Sequence, residues 1–261
     1  MDIIAMDIGN SRVSLAVFAQ GELKQTEHFD IDALDALKDC LCKFRQLCGP
    51  QPLGAQTVPV VACSVNSDIL ADVERIVTSA LDQRVLLVGR EFPLDMKVAL
   101  DNVEAVGSDR LVTAFAAYEV IQSAVLVADF GSATTMDCVS DSGIFLGGVI
   151  VPGLNLSARA LGDYTSALPE VQPDLPRGAY GTNTVVAIQN GIYYAALGSL
   201  REMAERYAEE LGQWPQVVAT GGYCNLIARN CEFIDSVVPD LCLNGLYLAY
   251  RNYRESKQAT E

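Results

Sequence analysis

A short apolar strand that leads directly into an acidic, glycine-containing turn occurs twice in this chain. The first strand, residues 3–6, is followed by Asp7-Ile8-Gly9-Asn10-Ser11, and the second, residues 124–128, by Asp129-Phe130-Gly131-Ser132. The two aspartates are separated by close to half of the 261 residues. Because glycine lacks a Cβ, such a turn lets the backbone approach a phosphate group closely. The repetition predicts a duplicated fold with a phosphate site between its halves.

The spacing of apolar residues predicts helices that alternate with strands. Helical spacing is found at 32–47 (which ends at the break Gly49-Pro50-Gln51-Pro52), 67–81, 108–122 and 184–211, with further helices near 155–162 and from Asn244. Strands are predicted at 3–6, 14–18, 58–63, 85–88, 124–128, 135–139, 144–150 and 216–219. This alternation is typical of an α/β protein with mixed sheets covered on both faces. No linker separates the halves, so the boundary is placed in the helix at 108–122, which gives domains 1–115 and 116–261.

The charge of the chain limits its partners. A formal net charge of −15 repels nucleic acids and anionic membranes, and no apolar run approaches the length of a membrane span. We therefore expect neither nucleic acid nor a membrane as a partner. A phosphorylated substrate would have to be held locally, by backbone N–H groups, helix N-termini, a metal ion or a few cations. Because the N-terminus enters a strand without a signal sequence, a cytoplasmic protein is expected.

The cysteine pattern argues against a zinc site. Eight cysteines are present, but none forms a CxxC pair, and His28 is the one histidine. In a chain of this length without a signal sequence, we expect reduced cysteines that serve mostly in packing.

The first turn has the residue types of a phosphate site. Gly9 permits close approach of a phosphate, while Asn10, Ser11 and Arg12 add N–H groups and polar side chains. A carboxylate beside phosphates is repulsive unless Mg²⁺ lies between them, so Asp7 is a candidate ligand on the metal side. A single copy is also compatible with an ordinary hairpin turn, because Asp, Gly and Asn are all turn formers.

The second turn strengthens the phosphate interpretation. Ser132 and Thr134 could donate hydrogen bonds to phosphate oxygens, and Asp129 could hold a cation. Glycine pairs follow at the ends of two later strands, at 147–148 and in Thr220-Gly221-Gly222. Such pairs allow close approach of a nucleotide and bring a helix N-terminus, with its favourable dipole, towards it.

The motif Gly107-Ser108-Asp109-Arg110 lies just before a helix and has two interpretations. As a structural element, Ser108 would be an N-cap and Asp109 an acid favoured by the helix dipole. If the motif is instead part of an active site, Asp109 would be the general base for phosphoryl transfer to a hydroxyl, and Arg110 would bind a carboxylate. Thr184 also lies at the start of a helix, where Thr182 or Asn183 could be the cap.

Together these motifs resemble the type III pantothenate kinase family of the acetate and sugar kinase, Hsc70 and actin superfamily. The resemblance covers nearly the whole chain, from the turn at Asp7 through Gly107-Ser108-Asp109-Arg110 to Thr220-Gly221-Gly222. It implies a duplicated actin-like (ribonuclease H-like) ATPase fold, with two mixed sheets flanked by helices and an interdomain cleft. It also implies transfer of the ATP γ-phosphoryl group to the primary hydroxyl of pantothenate, the first step of coenzyme A biosynthesis.

The resemblance further implies roles for individual residues. ATP would be bound by Asp7, Ile8, Gly9, Asn10, Ser11, Arg12, Val13, Ser14 and Ser132. Pantothenate would be bound by Leu100, Gly107, Ser108, Asp109, Arg110 and Thr184, and Asp109 would accept the hydroxyl proton. Asp129 matches the ligand of a monovalent cation, K⁺ or NH₄⁺, which accompanies ATP and Mg²⁺. Family members are cytoplasmic homodimers.

The chain departs from the family pattern at two positions. A tyrosine that contacts pantothenate and a proline three residues later correspond here to Leu100 and Val103. Loss of the tyrosine hydroxyl removes one polar contact, worth about 1 kcal/mol. Two alternatives to a pantothenate kinase therefore stay open: a catalytically weak homologue with a regulatory or accessory role, and a kinase of another small hydroxy acid.

Overall fold

The computed structural model describes residues 1–49 and 57–259, except for the side chain of Glu104. Within these limits the chain falls into two compact units, one made of 1–96, 102–116 and 242–261 and the other of 97–101 and 117–241. The first unit thus includes the C-terminal segment, which the sequence analysis assigned to the second domain.

Among the described residues, the first unit is built on a five-stranded mixed sheet in the order β3-β2-β1-β4-β5. Its strands are β1 (Ile3–Ile8), β2 (Arg12–Ala19), β3 (Glu22–Asp30), β4 (Val60–Ser64) and β5 (Val85–Leu87). The pairs β1–β2 and β2–β3 are antiparallel, whereas β4 and β5 run parallel to β1. We did not predict β3, because it is an edge strand of mostly polar, exposed residues without a clear apolar alternation.

Helices cover both faces of this sheet, because its central strands are apolar on both sides. These helices are α1 (Leu37–Leu47), α2 (Ser67–Leu81), α3 (Ser108–Ile121) and α7 (Leu241–Gln258). Ile4 and Met6 of β1 belong to the cluster that includes residues of α1 and α2. Ile3 and Ala5 belong to a second cluster, with residues of α3 and α7. The alternation along β1 therefore divides the core of this unit into two layers.

In the described part of the chain, the second unit holds a six-stranded mixed sheet in the order β11-β10-β7-β8-β9-β6. Its elements are β6 (Lys97–Val98), β7 (Val125–Phe130), β8 (Ala133–Val139), β9 (Ile144–Pro152), α4 (Leu154–Tyr164), α5 (Thr184–Leu211), β10 (Gln216–Thr220), α6 (Cys224–Ala228) and β11 (Ser236–Val237). The order β9-β8-β7-β10-β11 repeats the order β3-β2-β1-β4-β5, with the same antiparallel and parallel pairs. The repetition confirms the predicted duplication and the α/β class with two mixed sheets.

Helix boundaries agree with the sequence prediction to different degrees. The helices predicted at 67–81 and 184–211 have these bounds in the structure. The helix predicted from residue 32 begins with a 3-10 helix, Ile31–Ala36, and becomes α-helical only at Leu37. The last helix begins at Leu241 rather than at Asn244. Beyond Gly49, the predicted break at 49–52 lies outside the described residues.

None of the described helices combines the length and the apolar character that crossing a bilayer requires.

Candidate functional site

The first acidic turn joins β1 to β2, as the strand prediction requires. Asp7, the penultimate residue of β1, pairs with Ser14 of β2 and with Cys63 of β4. The Gly9 N–H donates a hydrogen bond to the Arg12 carbonyl at 3.0 Å, and a Cβ on Gly9 would lie 3.2 Å from that oxygen. A larger residue would therefore open this turn. Asn10 and Ser11 are exposed, so their N–H groups and side chains can reach a ligand.

A residue that the sequence analysis missed supports this turn from the side. The Asn66 side-chain oxygen accepts hydrogen bonds from the Asp68 and Ile69 N–H groups and caps α2. Its amide nitrogen donates to the Asn10 side-chain oxygen at 3.2 Å. An Asn directly before the first residue of a helix is a usual N-cap signal, but the contact of Asn66 with Asn10 depends on the pairing of β1 with β4.

The motif that contains Asp109 is anchored to the end of β4. The Ser108 hydroxyl donates a hydrogen bond to the Ser64 carbonyl at 3.1 Å and accepts one from the Ser64 N–H at 3.3 Å. Ser108 is thus the first residue of α3 and bonds to a neighbouring strand, so its predicted role as N-cap is wrong. Through this pair of bonds β4 determines where α3 begins.

The Asp109 carboxylate has little free space around it. Its Oδ1 accepts a hydrogen bond from the Arg110 N–H at 2.8 Å. A Cβ on Gly107 would lie 2.5 Å from the same oxygen and 3.3 Å from a methyl group of Val65. Glycine at 107 is therefore needed for the position of this carboxylate.

Asp7 and Asp109 form a pair of carboxyl groups in which both protons are held unusually tightly. Burial raises the pKa of Asp109, although the Arg110 N–H and guanidinium lower it in part. Burial and the Asp109 charge raise the pKa of Asp7 to about 6, against the opposing effects of Cys63 and Arg12. A carboxylate with a raised pKa is a better proton acceptor near neutral pH. Two neighbouring carboxylates are also the oxygen ligands that Mg²⁺ prefers, so the residues fit that ion.

Two thiol groups lie directly behind Asp7. The Cys63 thiol donates to Asp7 Oδ1 at 3.4 Å, and the Cys63 and Cys242 sulfurs are 3.3 Å apart. The hydrogen bond with Cys242 lowers the pKa of Cys63, but burial and the charges of Asp7 and Asp109 outweigh it and raise the pKa to about 12. Both cysteines are free, as expected.

In the second unit, Asp129 occupies the position that Asp7 has in the first. It pairs with Thr135 of β8 and with Thr220 of β10. A Cβ on Gly131 would lie 3.2 Å from Asp129 Oδ1, and a Cβ on Gly221, whose φ is +85°, would collide with the same oxygen. These two glycines thus bring the backbone close to the Asp129 carboxylate, and carboxylate oxygens are ligands that suit hard cations.

The remaining predicted residues of the second unit lie in different surroundings. Ser132 is exposed in the turn after Asp129, whereas Thr134 is buried and its hydroxyl has no hydrogen-bond partner within the described residues. Thr184 is the first residue of α5, and the Asn183 side chain caps that helix by accepting from the Val186 N–H at 3.0 Å. Of the two caps considered, Asn183 is the one used.

Thr134 and Thr184 line one cavity of the second unit. It measures about 910 Å³, and most of its wall is apolar, with Val151, Leu161 and Ile188 among the lining residues. Leu100 lies just after β6, and a Cβ on Gly147 would be 3.1 Å from its side chain.

Comparison with known proteins identifies the family. The family model described as type III pantothenate kinase matches residues 3–206. The chain belongs to the type III pantothenate kinase family. A type III pantothenate kinase of Dehalococcoides mccartyi strain ATCC BAA-2266 is 37% identical over 252 residues, which cover 95% of this chain and 97% of the relative. The relative from strain CBDB1 is 36% identical, with 95% of each chain covered. The chain is accordingly an ATP-dependent pantothenate kinase, as the resemblance implied.

Solved structures agree on the fold. A conserved Baf family protein from Campylobacter jejuni has a TM-score of 0.61 at 18% identity and covers 98% of this chain and 100% of its own. The activator of 2-hydroxyisocaproyl-CoA dehydratase from Clostridium difficile, solved with ADPNP, has a TM-score of 0.54 at 14% identity, with 100% and 98% covered. At these identities the likeness shows the fold alone, and it confirms the predicted actin-like ATPase class.

Proposed function

We propose that Asp109 accepts the proton of the pantothenate primary hydroxyl during phosphoryl transfer, while Asp7 faces Mg²⁺-ATP. The observation that supports this assignment most directly is the pair of carboxyl groups at Asp7 and Asp109, each with a raised pKa. Phosphoryl transfer to a hydroxyl needs one carboxylate near that hydroxyl, and positioning supplies most of the remaining rate enhancement. Bound Mg²⁺ would supply charge neutralisation for the phosphates.

The residues around this pair have separate proposed tasks. The segment from Ile8 through Ser14 binds the phosphates through the exposed Asn10 and Ser11 of its turn, and Asn66 holds Asn10 in place from outside the turn. Ser108 and Gly107 position Asp109, the former by its two bonds to Ser64 and the latter by leaving space. Arg110 pairs with the pantothenate carboxylate, for which a guanidinium is well suited.

For the second unit, the proposals rest on the family resemblance and on local geometry. Asp129 would hold K⁺ or NH₄⁺, Ser132 would contact ATP, and Thr184 and Leu100 would contact pantothenate. The exposed turn at Ser132 and the glycines beside Asp129 support the first two assignments. The position of Thr184 at the wall of a cavity supports the third. We further propose a cytoplasmic homodimer and a main domain boundary between residues 115 and 116, with the C-terminal helix α7 returning to the first domain.

The role of Asp109 is tested by Asp109→Asn with Asp68→Asn as the control. Both aspartates lie in the first turn of a helix, so both substitutions remove the same favourable interaction with a helix dipole. We expect kcat of Asp109→Asn to fall by about 10²- to 10⁴-fold with ATP binding retained, the usual range for a general base. Asp68→Asn should keep its kcat. Equal kcat values for the two variants would leave Asp109 as a structural helix acid only.

The cation assignment needs its own measurement. Steady-state ADP release is compared in K⁺, NH₄⁺ and Na⁺ for the wild type and for Asp129→Asn. We expect stimulation by K⁺ or NH₄⁺ in the wild type and its loss in the variant. Stimulation that persists in Asp129→Asn would place the cation elsewhere. Light scattering on the same samples tests the dimer.

A further inference from the structure

Asp7, Cys63 and Cys242 form a cluster in which the two thiols have no role in the kinase chemistry proposed above. One ligand atom from each of these three residues lies within 4.8 Å of the other two. Cys63 and Cys242 are 179 residues apart in sequence, so no short sequence motif indicates that they are neighbours. It arises because Cys63 pairs with Asp7 across β1 and β4, and because α7 brings its second residue against the same sheet face.

We infer that this cluster is a binding site for a thiophilic divalent cation of the Zn²⁺ class. Tetrahedral zinc has bonds of about 2.3 Å to sulfur and about 2.0–2.2 Å to carboxylate oxygen, so its ligands lie roughly 3–4 Å from one another. The S–S distance of 3.3 Å and the Cys63 sulfur to Asp7 oxygen distance of 3.4 Å already fall in that range. Only a small outward movement of the two sulfurs is needed to admit the ion.

The donor set also decides which ion is preferred. Two thiolates select Zn²⁺ or Cd²⁺ over Mg²⁺, which prefers oxygen ligands and retains its waters. On binding, each thiol releases its proton, so that one M²⁺, two thiols and one carboxylate give a bound complex and two H⁺. The fourth position is left for a water molecule. Because Asp7 is partly exposed while Cys63 and Cys242 are buried, the ion would enter from the Asp7 side.

Occupation of this site should inhibit the enzyme. An Asp7 carboxylate bound to Zn²⁺ is no longer available to Mg²⁺-ATP. This consequence rests on the proposed function of Asp7, whereas the metal site itself does not. The two parts therefore need separate measurements, one of binding and one of rate.

Binding is measured by titrating the reduced enzyme with Co²⁺ or Cd²⁺ and recording the thiolate-to-metal absorption. We expect one ion per chain in the wild type and loss of the band in Cys63→Ala and in Cys242→Ala. Cys138→Ala removes another buried, free cysteine, from β8, and should keep the band. Absence of the thiolate-to-metal band in the wild type would overturn the inference, and this measurement does not depend on whether any variant folds. A band that survives in both cluster variants would overturn it too.

Inhibition is measured by adding Zn²⁺ to the kinase assay, with each protein compared with its own uninhibited rate. We expect the inhibitory Zn²⁺ concentration to rise by at least about tenfold in Cys242→Ala, since even outer-shell changes at metal sites cost that much affinity. A chelator that takes Zn²⁺ but not Mg²⁺ should restore the wild-type rate. Metal binding without inhibition would support the site and contradict the assignment of Asp7 to Mg²⁺-ATP.

Discussion

Replacement of Gly107 by alanine tests whether the position of the Asp109 carboxylate limits catalysis. The added Cβ would lie 2.5 Å from Asp109 Oδ1, a distance that real Cβ atoms do not tolerate, and 3.3 Å from a Val65 methyl group. The Asp109 carboxylate would move rather than the backbone at residue 107, because it is the end of a side chain and lies nearest to the added Cβ. Its displacement would break the bond that Oδ1 accepts from the Arg110 N–H.

The size of the effect follows from this displacement. An ordinary Cβ contact needs roughly another ångström of separation, and a misplacement of about 1 Å can cost about 10²-fold in rate. We therefore expect kcat of Gly107→Ala to fall by about 10- to 100-fold. The lost hydrogen bond should lower the free energy of unfolding by only about 1 kcal/mol. Catalysis would thus be impaired in a protein that is still folded.

The assay is steady-state ADP release with pantothenate, together with calorimetric binding of an ATP analogue and urea denaturation. Gly198→Ala is the matched control, because Gly198 is an exposed glycine in α5 and a Cβ there would meet nothing within 4 Å. It should keep its kcat and gain up to about 1 kcal/mol of stability from helix propensity. A kcat of Gly107→Ala within twofold of the wild type would refute the reasoning, as would an equal loss in Gly198→Ala.

Two further predictions concern stability. The folded protein raises the pKa of Asp7 to about 6, so the protonated carboxyl group stabilises the fold at low pH. This contribution to the free energy of unfolding should fall by up to about 3 kcal/mol as pH rises from about 4 to 6. Urea denaturation at several pH values measures it. Asp7→Asn should remove that part of the slope, and an unchanged slope would contradict it. Asn66→Ala and Asn183→Ala should each cost about 1 kcal/mol as lost N-caps. Only Asn66→Ala should also raise KM for ATP, through Asn10, and equal KM values would remove Asn66 from the site.

The sequence was sufficient to predict an element where the residues close to it in the chain also determine its structure. α2 could be bounded correctly because apolar residues recur at helical spacing from Ile69 up to Leu81. The two acidic turns could be recognised because Gly9 and Gly131 each close a strand connection in which a side chain would crowd a neighbouring oxygen. At these positions the local backbone conformation requires a particular residue type, so a pattern of a few residues is enough to predict the local structure.

Prediction failed where a residue's role depends on a distant partner. For Ser108, an N-cap role was one of the two interpretations considered, since nothing near it in sequence indicates the bonds that its hydroxyl makes to Ser64. Ligand spacing along the chain likewise gives no sign of the Cys63–Cys242 contact, because these cysteines meet through sheet pairing and the docking of α7. β3 was missed for another reason: an edge strand needs no apolar alternation when most of its side chains are exposed.

The two acidic turns have the same backbone arrangement but differ in what surrounds their carboxylates, and this difference supports the different cations proposed for them. Asp7 pairs with Cys63, and Asp129 pairs with Thr220 at the corresponding position of the second sheet. A thiol, a second thiol behind it and the nearby Asp109 carboxylate make the first position strongly attractive to divalent ions. The Thr220 hydroxyl donates instead to the Pro239 carbonyl, and Gly131 and Gly221 approach Asp129, where we propose a monovalent ion. Asp7 and Asp129 thus occupy equivalent positions in the two sheets, and the residue on the neighbouring parallel strand gives each carboxylate different chemical surroundings.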